Sequence, residues 1–165
     1  MLLVPQITVE KVAIFADVQN IYYTTKQSYR RHFNYAAFWA QATADREVVA
    51  AFAYAIDKGD SKQQGFQQIL RNIGFEIKLK PYIQRSDGSA KRDWDVGITL
   101  DVIDYAAKVD VIVLLSGDGD FDLLLDKSRS VYGVTTEVYG VPGLTAPSLI
   151  NSTDRFIAID DKLLL

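Results

Sequence analysis

The feature that most constrains the fold is a regular alternation between short apolar runs and segments of helical character. The apolar runs lack the polar alternation of a half-exposed strand, which is typical of strands covered on both faces. Strands that alternate with helices form βαβ units and a mostly parallel sheet. The pattern therefore predicts an α/β fold with strands at Lys11–Asp17, Val48–Ile56, Phe75–Ile83, Val111–Leu115 and Thr135–Tyr139, and with Arg155–Asp160 as a candidate last strand.

The segments between these runs carry helix start and stop signals. Asn34 and Ser61 are predicted to cap the helices that follow them, and Gly74 stands where a helix C-terminus favours glycine. A tight turn is expected at Gly117–Asp120 and a loop at Arg85–Ala90. The predicted helices cover Val18–Ser28, Tyr35–Ala44, Ser61–Ile73, Asp93–Ala107, the stretch from the tight turn to Tyr132–Gly133, and a short helix that follows Pro147.

Length and composition exclude several classes of protein. The 165 residues indicate a single domain, 1–165. The absence of cysteine excludes a disulfide scaffold, a zinc ribbon and a thiol nucleophile. No apolar run approaches the roughly 20 residues of a membrane helix, and the first ten residues lack the basic region and cleavage pattern of a signal peptide. We therefore expect a soluble cytoplasmic protein with no membrane partner.

Charge is distributed unevenly along a chain whose net charge is −3. Residues 58–92 contain eight Lys or Arg and three acids, whereas residues 93–122 contain eight acids and one base, Lys108. A basic stretch beside a carboxylate cluster suits a polyanion together with a divalent cation. Helix faces that differ in charge by accident would give the same pattern.

Two polar residues follow the first predicted strand. Asp17 comes directly after it, and Asn20 lies one helical turn further on. In open parallel sheets the binding site lies at the carboxyl ends of the strands, so Asp17 is a candidate site acid. An Asp in this place is also a common helix N-cap. Asn20 either orients a phosphate or a water, or is an ordinary surface residue.

The segment Ser116–Asp122, with the sequence SGDGDFD, follows the fourth predicted strand. Its three aspartates repel one another unless a cation or protons neutralise them. Oxygen ligands of this kind favour Mg²⁺ or Mn²⁺. The alternative is that Asp118 is a helix N-cap and that the other acids interact with the helix dipole. The segment matches neither the dinucleotide-binding glycine pattern nor the P-loop pattern.

A third group of acids lies on the helix predicted to begin at Asp93. A helical wheel assigns an apolar face to the sheet and places Asp95 at its edge. Asp93, Asp101 and Asp104 fall on the other side, where we expect a solvated face. Alternatively, Asp101 contacts the metal ligands without binding the ion itself. The residues assigned to the apolar face are Val96, Thr99, Leu100, Ile103 and Ala107.

These acids converge if the first and fourth strands are neighbours in the sheet. Asp17, Asp118 and Asp120 would then share one rim, which Asp95 would reach from the adjoining helix. Four carboxylates at one rim are typical of metal-assisted phosphodiester hydrolysis, in which ions activate a water and stabilise the leaving oxygen.

The three blocks Asp17–Asn20, Lys91–Val96 and Ser116–Phe121 resemble the NYN domain, and more narrowly the LabA-like bacterial branch of the PIN-like nuclease superfamily. The resemblance covers a core from about residue 11 to 160. It implies a three-layer α/β/α fold with sheet order near 3-2-1-4-5 and a Mg²⁺- or Mn²⁺-dependent ribonuclease site. By motif, the residues that match the acidic ligands and the Asn of the first block are Asp17, Asp95, Asp118, Asp120 and Asn20.

One of these blocks departs from the family pattern. Relatives often have Lys-Gly-Val-Asp before the helix, whereas this chain has Arg92-Asp93-Trp94-Asp95. Either Asp93 or Asp95 is then the ligand, and the helical wheel favours Asp95.

Basic and aromatic residues offer a surface for RNA, which single strands contact through phosphates and stacked bases. Most aromatic residues between Tyr22 and Trp39 are expected in the core, whereas Trp94 is a candidate for stacking. The lone histidine, His32, lies in a connector without an evident partner and is not expected to be a catalyst. The candidate phosphate-binding residues form two groups, Lys58, Lys62, Arg85, Lys91 and Arg92, and Lys26, Arg30, Arg31 and His32; the expected substrate contacts are Asn20, Ser116, Lys91, Arg92 and Trp94.

The sequence thus predicts a metal-dependent ribonuclease. With no appended RNA-binding module in view, RNA would be bound by the domain itself, by a homo-oligomer or with a protein partner. The alternative is a non-catalytic RNA-binding or regulatory protein on the same fold. A phosphohydrolase of small phosphate esters is disfavoured because no Asp-x-Asp motif follows the first strand. The pattern leaves RNA and DNA open as substrates.

Overall fold

Six strands form one parallel sheet at the centre of the molecule. The computed structural model describes residues 8–81, 83–84, 90–91 and 93–165, with side chains at 8–80 and 93–165. The strands are β1 Glu10–Asp17, β2 Arg46–Asp57, β3 Glu76–Pro81, β4 Val111–Leu115, β5 Thr135–Gly140 and β6 Arg155–Ala158. Their order is β3-β2-β1-β4-β5-β6, with every neighbouring pair parallel. The predicted order is confirmed, and β6 extends the sheet.

The third strand is shorter than predicted. It ends at Pro81, and Ile83 belongs to a separate two-residue strand, Ile83–Gln84, that pairs antiparallel with Ala90–Lys91. Pro81 has no N–H to donate to a ladder, so it suits the end of an edge strand. Apart from Ala90, the loop predicted at Arg85–Ala90 lies outside the described residues.

The sheet order reverses between β1 and β4. β1 is followed in the chain by β2 on one side, and β4 is followed by β5 on the other. Their register sets Ala16 opposite Leu115, so the chain leaves both strands side by side at the same edge. This reversal is the topological switch point, where α/β sheets bind their ligands.

Helices cover both faces of the sheet, as the three-layer prediction requires. One core contains Ile21, Phe38 and Leu70 from the first three helices, and the other contains Ile98 and Leu125 from the later ones. Alternate residues of β1 point into each core. The helices are α1 Val18–Tyr29, α2 Tyr35–Ala42, α3 Ser61–Ile73, α4 Asp95–Ala106, α5 Asp122–Tyr132 and α6 Pro147–Ser152, with 3₁₀ turns at Gly119–Phe121 and Asp161–Leu163.

Two of the three predicted helix ends are confirmed. Asn34 caps α2 by accepting a hydrogen bond from the backbone N–H of Ala37 at 3.0 Å, and Gly74 ends α3 at a φ of 138°. The N-cap of α3 is Asp60 and not Ser61, because the Asp60 carboxylate accepts from the N–H of Gln63 at 2.7 Å. A carboxylate is as good a cap as a hydroxyl and begins the helix one residue earlier.

The predicted inner face of α4 is wrong. Val96 and Leu100 are 70% and 61% exposed, whereas Ile98 and Val102 are fully buried. The α4 sequence, DVGITLDVIDYA, has apolar residues around most of its circumference, so its periodicity defines two candidate stripes. Packing against β1 and β4 selects the stripe that contains Ile98 and Val102.

Asp101 is also corrected by this rotation of α4. Its carboxylate accepts hydrogen bonds from Tyr54 Oη at 2.7 Å and Lys78 Nζ at 2.6 Å, so it packs against the sheet and is not part of a solvated face. Asp104 is exposed, as predicted. Among the described residues, no helix has the length and apolar character needed to cross a bilayer.

Candidate metal centre at the carboxyl edge of the sheet

Three carboxylates meet at the switch point. Asp17 ends β1, Asp118 follows β4, and Asp95 is the first residue of α4. One oxygen from each lies within 4.8 Å of the others. The adjacency of β1 and β4 brings Asp17 and Asp118 together, as the sequence predicted on condition of that order.

Asp17 combines both interpretations offered by the sequence. Its Oδ1 caps α1 by accepting from the N–H of Asn20 at 3.4 Å, and its Oδ2 accepts from Ser116 Oγ at 3.2 Å. The residue is only 9% exposed. Burial is the largest cause that raises the pKa of Asp17 to about 6, and the negative charge of Asp118 adds to it. The cap therefore holds a carboxylate that is costly to ionise without a cation.

Asp95 reaches the cluster because it lies on the buried stripe of α4. It precedes Ile98 and Val102 by three and seven residues, a spacing that puts all three on one helix face. The acid that the helical wheel favoured thus reaches the cluster, although the helix face from which the wheel argued is exposed. Burial, followed by the charge and hydrogen bonding of Asp118, raises the pKa of Asp95 to about 7. The negative charge of Asp118 thus disfavours ionisation of Asp95 in the metal-free protein.

Trp94 fixes the start of α4. Its indole Nε1 donates to the carbonyl of Ala55 at 2.9 Å, and its ring lies 5.3 Å from that of Tyr54. Lys80 Nζ lies 4.6 Å from the centre of the indole ring. Trp94 is half-buried in these contacts, which hold Asp95 at the edge of the sheet.

The loop after β4 is tied to α1 by short polar contacts. Asn20 Oδ1 accepts from the N–H of Gly117 at 2.9 Å, and Ser116 Oγ accepts from the N–H of Asp118 at 3.2 Å. A Cβ on Gly117 would lie 2.7 Å from the carbonyl oxygen of Leu144, so only glycine fits this approach of the following loop. These contacts set the position of the Asp118 backbone beside Asp17.

Asp120 and Asp93 lie outside the cluster of three. The Asp118 carboxylate accepts from the backbone N–H of Asp120 at 2.9 Å. Asp120 itself is exposed on the 3₁₀ turn. Asp93 is exposed, and its carboxylate accepts from the N–H of Asp95 at 3.3 Å. Of the two acids that the sequence left open at the start of α4, the structure therefore brings Asp95 to Asp17 and Asp118.

Several predicted contact residues are placed elsewhere or fall outside the description. Arg85, Arg92 and the side chain of Lys91 lie outside the described residues. Arg31 forms an ion pair with Asp161 at 2.5 Å and donates to the carbonyl of Leu165. Arg31 thus contacts residues near Leu165 and not the carboxylate cluster.

The cluster fits a hard divalent cation. Carboxylate oxygens are the donors preferred by Mg²⁺ and Mn²⁺, and the site offers neither Cys nor His among its three members. Burial, together with the negative charge of Asp118, raises the pKa values of Asp17 and Asp95, so ionising both carboxyls is costly without a cation. A bound cation would relieve that repulsion.

A cavity beside the cluster was not predicted. It has a volume of about 580 Å³ and begins at Val18 and Gln19, which directly follow Asp17. Tyr22 and His32 belong to its lining, together with residues from β2, α3 and the chain end. The sequence signal was the density of aromatic residues from Tyr22 to Trp39. Of these seven, Phe33, Tyr35 and Phe38 are buried, whereas Tyr22 and Tyr23 are exposed, so fewer lie in the core than predicted.

Comparison with known proteins supports the resemblance found in the sequence. The profile of the NYN domain matches residues 11–160. The chain is 31% identical over 162 residues to the Low amplitude and bright protein LabA of Synechococcus elongatus, covering 92% of this chain and 84% of that protein. A crystal structure of a protein of unknown function from Vibrio parahaemolyticus is 55% identical, with a TM-score of 0.94 over 98% of this chain and 100% of that one.

Proposed function

Because this chain belongs to the NYN domain family, whose members are typically ribonucleases, we propose that it is a metal-dependent ribonuclease that hydrolyses RNA phosphodiester bonds. The observation that carries the proposal is the meeting of Asp17, Asp95 and Asp118 within 4.8 Å at the switch point of the sheet. We take residues 1–165 as one domain, and this domain contains all three carboxylates.

Asp17, Asp95 and Asp118 are the residues that would hold Mg²⁺ or Mn²⁺. When bound, such an ion supplies an activated water and charge stabilisation for the leaving oxygen. Asp120 is proposed as a further acid at the rim, from its place on the turn next to Asp118. Ser116 positions the site, since its hydroxyl contacts both the Asp17 carboxylate and the Asp118 backbone.

Substrate binding is proposed for residues around this rim. The Asn20 carboxamide oxygen already accepts from Gly117, so its NH₂ group is the end suited to a phosphate oxygen. Lys91, Arg92 and Trp94 remain proposed contacts for the RNA. The RNA would be bound by the domain alone, by a homo-oligomer, or together with a protein partner.

A non-catalytic RNA-binding or regulatory protein is the second candidate. The observation that favours it is the position of Asp120, which lies outside the cluster although the family motif includes it among the acids. On this alternative, the protein binds RNA and a cation without cleaving the strand.

Cleavage of labelled single-stranded and structured RNAs at low salt tests the two candidates. The assay contains Mn²⁺ or Mg²⁺, with EDTA as one control and DNA strands of the same sequence as another. The variant Asp118→Asn removes one acid of the cluster, and Asp104→Asn is its matched control because Asp104 is exposed on α4 outside the cluster.

The ribonuclease proposal predicts cleavage by the wild type and Asp104→Asn, and its loss with EDTA and in folded Asp118→Asn. Binding of RNA without any cleavage would favour the second candidate. Full activity of folded Asp118→Asn would overturn the site assignment.

A further inference from the structure

The cavity beside the carboxylate cluster lies between α1 and α3, above the carboxyl ends of β1 and β2. It begins at Val18 and Gln19, immediately after Asp17, and extends past Tyr22 to Phe66 on α3. Its volume of about 580 Å³ lies within the roughly 300–1,000 Å³ typical of sites for small organic groups. A ligand seated there would lie next to the proposed metal centre.

The walls of this cavity are largely aromatic. Tyr22 and His32 have ring centres 6.2 Å apart and planes inclined by 31°, and Tyr35 and Phe66 have ring centres 5.6 Å apart. Ile56, buried at the end of β2, adds an aliphatic surface. Flat rings of this kind provide stacking surfaces for a planar ligand.

Tyr35, which carries a hydroxyl group, belongs to the same lining. The residue is 7% exposed. Burial and the nearby negative charge of Asp17 raise the pKa of Tyr35, so the hydroxyl keeps its proton and is available as a donor. A polar atom of a bound ligand would be an acceptor for this hydroxyl.

The charged side chains of the lining carry a net positive charge, because two lysines outnumber one acid, Asp60. Lys58 and Lys62 are exposed members of the lining, on the turn before α3 and in its first turn. The ligand that matches aromatic walls, a tyrosine hydroxyl and lysines at the mouth is a planar heterocycle attached to a phosphate. That description is met by a nucleotide.

We propose that this cavity binds one unpaired nucleobase of single-stranded RNA and thereby positions the attached phosphate between the lysines and the carboxylate cluster. The inference rests on the proposed function for the choice of RNA as the strand. A base in a duplex is stacked and paired, so it would not enter the cavity unless it left the helix. The cavity therefore selects single strands.

The experiment measures fluorescence anisotropy of short labelled RNA strands with the intact protein in EDTA, so that binding is read without cleavage. Each single strand is compared with its duplex and with an abasic strand of equal length and charge. The variants are Tyr22→Ala, which removes an exposed ring of the lining, and Tyr22→Phe, which keeps it. Ile69→Ala is the matched control, because Ile69 is 57% exposed on α3 and does not line the cavity.

The proposal predicts that Tyr22→Ala and the abasic strand each weaken binding by about tenfold or more, in line with the loss of one stacked base. Tyr22→Phe and Ile69→Ala should bind as the wild type does, and the duplex should bind more weakly than the single strand. Equal binding of the abasic strand, an unchanged affinity of Tyr22→Ala, or no binding by the wild type would overturn it.

These outcomes are independent of the cleavage assay. Loss of binding in Tyr22→Ala together with no cleavage by the wild type would support the cavity and refute the ribonuclease. Cleavage that depends on Asp118, with equal binding of the abasic strand, would refute the cavity alone. A DNA strand of the same sequence shows whether the ribose contributes to binding.

Discussion

In the amino half of the sheet Glu137 lies buried against Arg46, whereas at the carboxyl edge Asp17, Asp95 and Asp118 lie against one another. The Arg46 guanidinium donates to both Glu137 oxygens, at 2.9 and 2.8 Å, and also contacts Glu10 at 3.3 Å. Within the described part of the chain, no ion pair includes an acid of the cluster. The same sheet thus pairs one buried acid with an arginine and leaves the three carboxylates of the cluster without an ion pair among the described residues.

This difference indicates what each region does. The hydrogen bond and the charge of Glu137 raise the pKa of Arg46, so the contact stabilises the charged guanidinium. In the cluster the pKa values of two acids are themselves raised, to about 6 for Asp17 and about 7 for Asp95. Groups that destabilise one another in the free protein are typical of functional sites, where a ligand supplies the missing charge.

The largest effect on stability is expected from Glu137→Gln. The change leaves the Arg46 guanidinium, whose side chain is 14% exposed, without its main counter-charge. We expect the free energy of unfolding to fall by about 2–4 kcal/mol, measured by urea denaturation. Glu10→Gln is the control, because the Glu10 side chain is 55% exposed, and it should cost much less. An equal loss of unfolding free energy in the two variants would show that the buried contact with Glu137 is no stronger than the exposed contact with Glu10.

Asp17→Asn is expected to raise the free energy of unfolding. Asparagine keeps the shape of the side chain but carries no charge, so repulsion and burial of a carboxylate are relieved. At pH 8 without metal, the variant should be more stable than the wild type by about 1–3 kcal/mol, from a pKa shift of about two units. The gain should shrink as the pH falls and be lost below about pH 3.8, where Asp17 is protonated in both the folded and the unfolded state. A destabilised variant at pH 8 would show that the charge of Asp17 is compensated.

The raised pKa of Asp17 also predicts how the stability of the metal-free protein depends on pH. A carboxyl whose pKa is raised from 3.8 to about 6 binds more protons in the folded state than in the unfolded state over this interval. The free energy of unfolding should therefore fall as pH rises from about 4 to about 7 and level off above that. Mn²⁺ should restore stability on the alkaline side. Denaturation curves with EDTA and with Mn²⁺ measure this, and a metal-free stability that rises over the interval would contradict it.

The smallest effect is expected for an exposed ion pair. The Asp161 side chain is 87% exposed beside Arg31, so water and salt screen the contact. Asp161→Asn should change the free energy of unfolding by less than about 0.5 kcal/mol. A change as large as that of Glu137→Gln would show that burial does not separate the two kinds of pair.

The sequence predicted most of the sheet because its strands are local, apolar and buried. The run Val111–Leu115 has the bounds that were predicted, and the motif after it places Asp118 correctly at the end of β4. The strand order that brings Asp17 to Asp118 came from the family resemblance, since local patterns define strands and not their neighbours. The two apolar stripes of α4 show the limit of a helical wheel, because only packing against β1 and β4 distinguishes them.

The cavity depends on contacts that no local pattern reveals. Tyr22 and Phe66 lie in different helices, and Leu165, which shares their cavity, comes from the end of the chain. His32, interpreted from the sequence as a connector residue without a partner, packs against Tyr22, and its carbonyl accepts from the N–H of Leu165 at 2.8 Å. The cavity forms only when these distant segments pack together in the folded chain.

The most direct test of the account is a Mn²⁺ titration of the metal-free protein by calorimetry near pH 8. Wild type, Asp118→Asn and Asp104→Asn are compared, so that an acid of the cluster is matched with an exposed acid outside it. The account predicts equal binding by wild type and Asp104→Asn and at least about tenfold weaker binding by Asp118→Asn. Equal affinity of Asp118→Asn and wild type, or no binding by the wild type, would contradict the assignment of the three carboxylates as a metal centre.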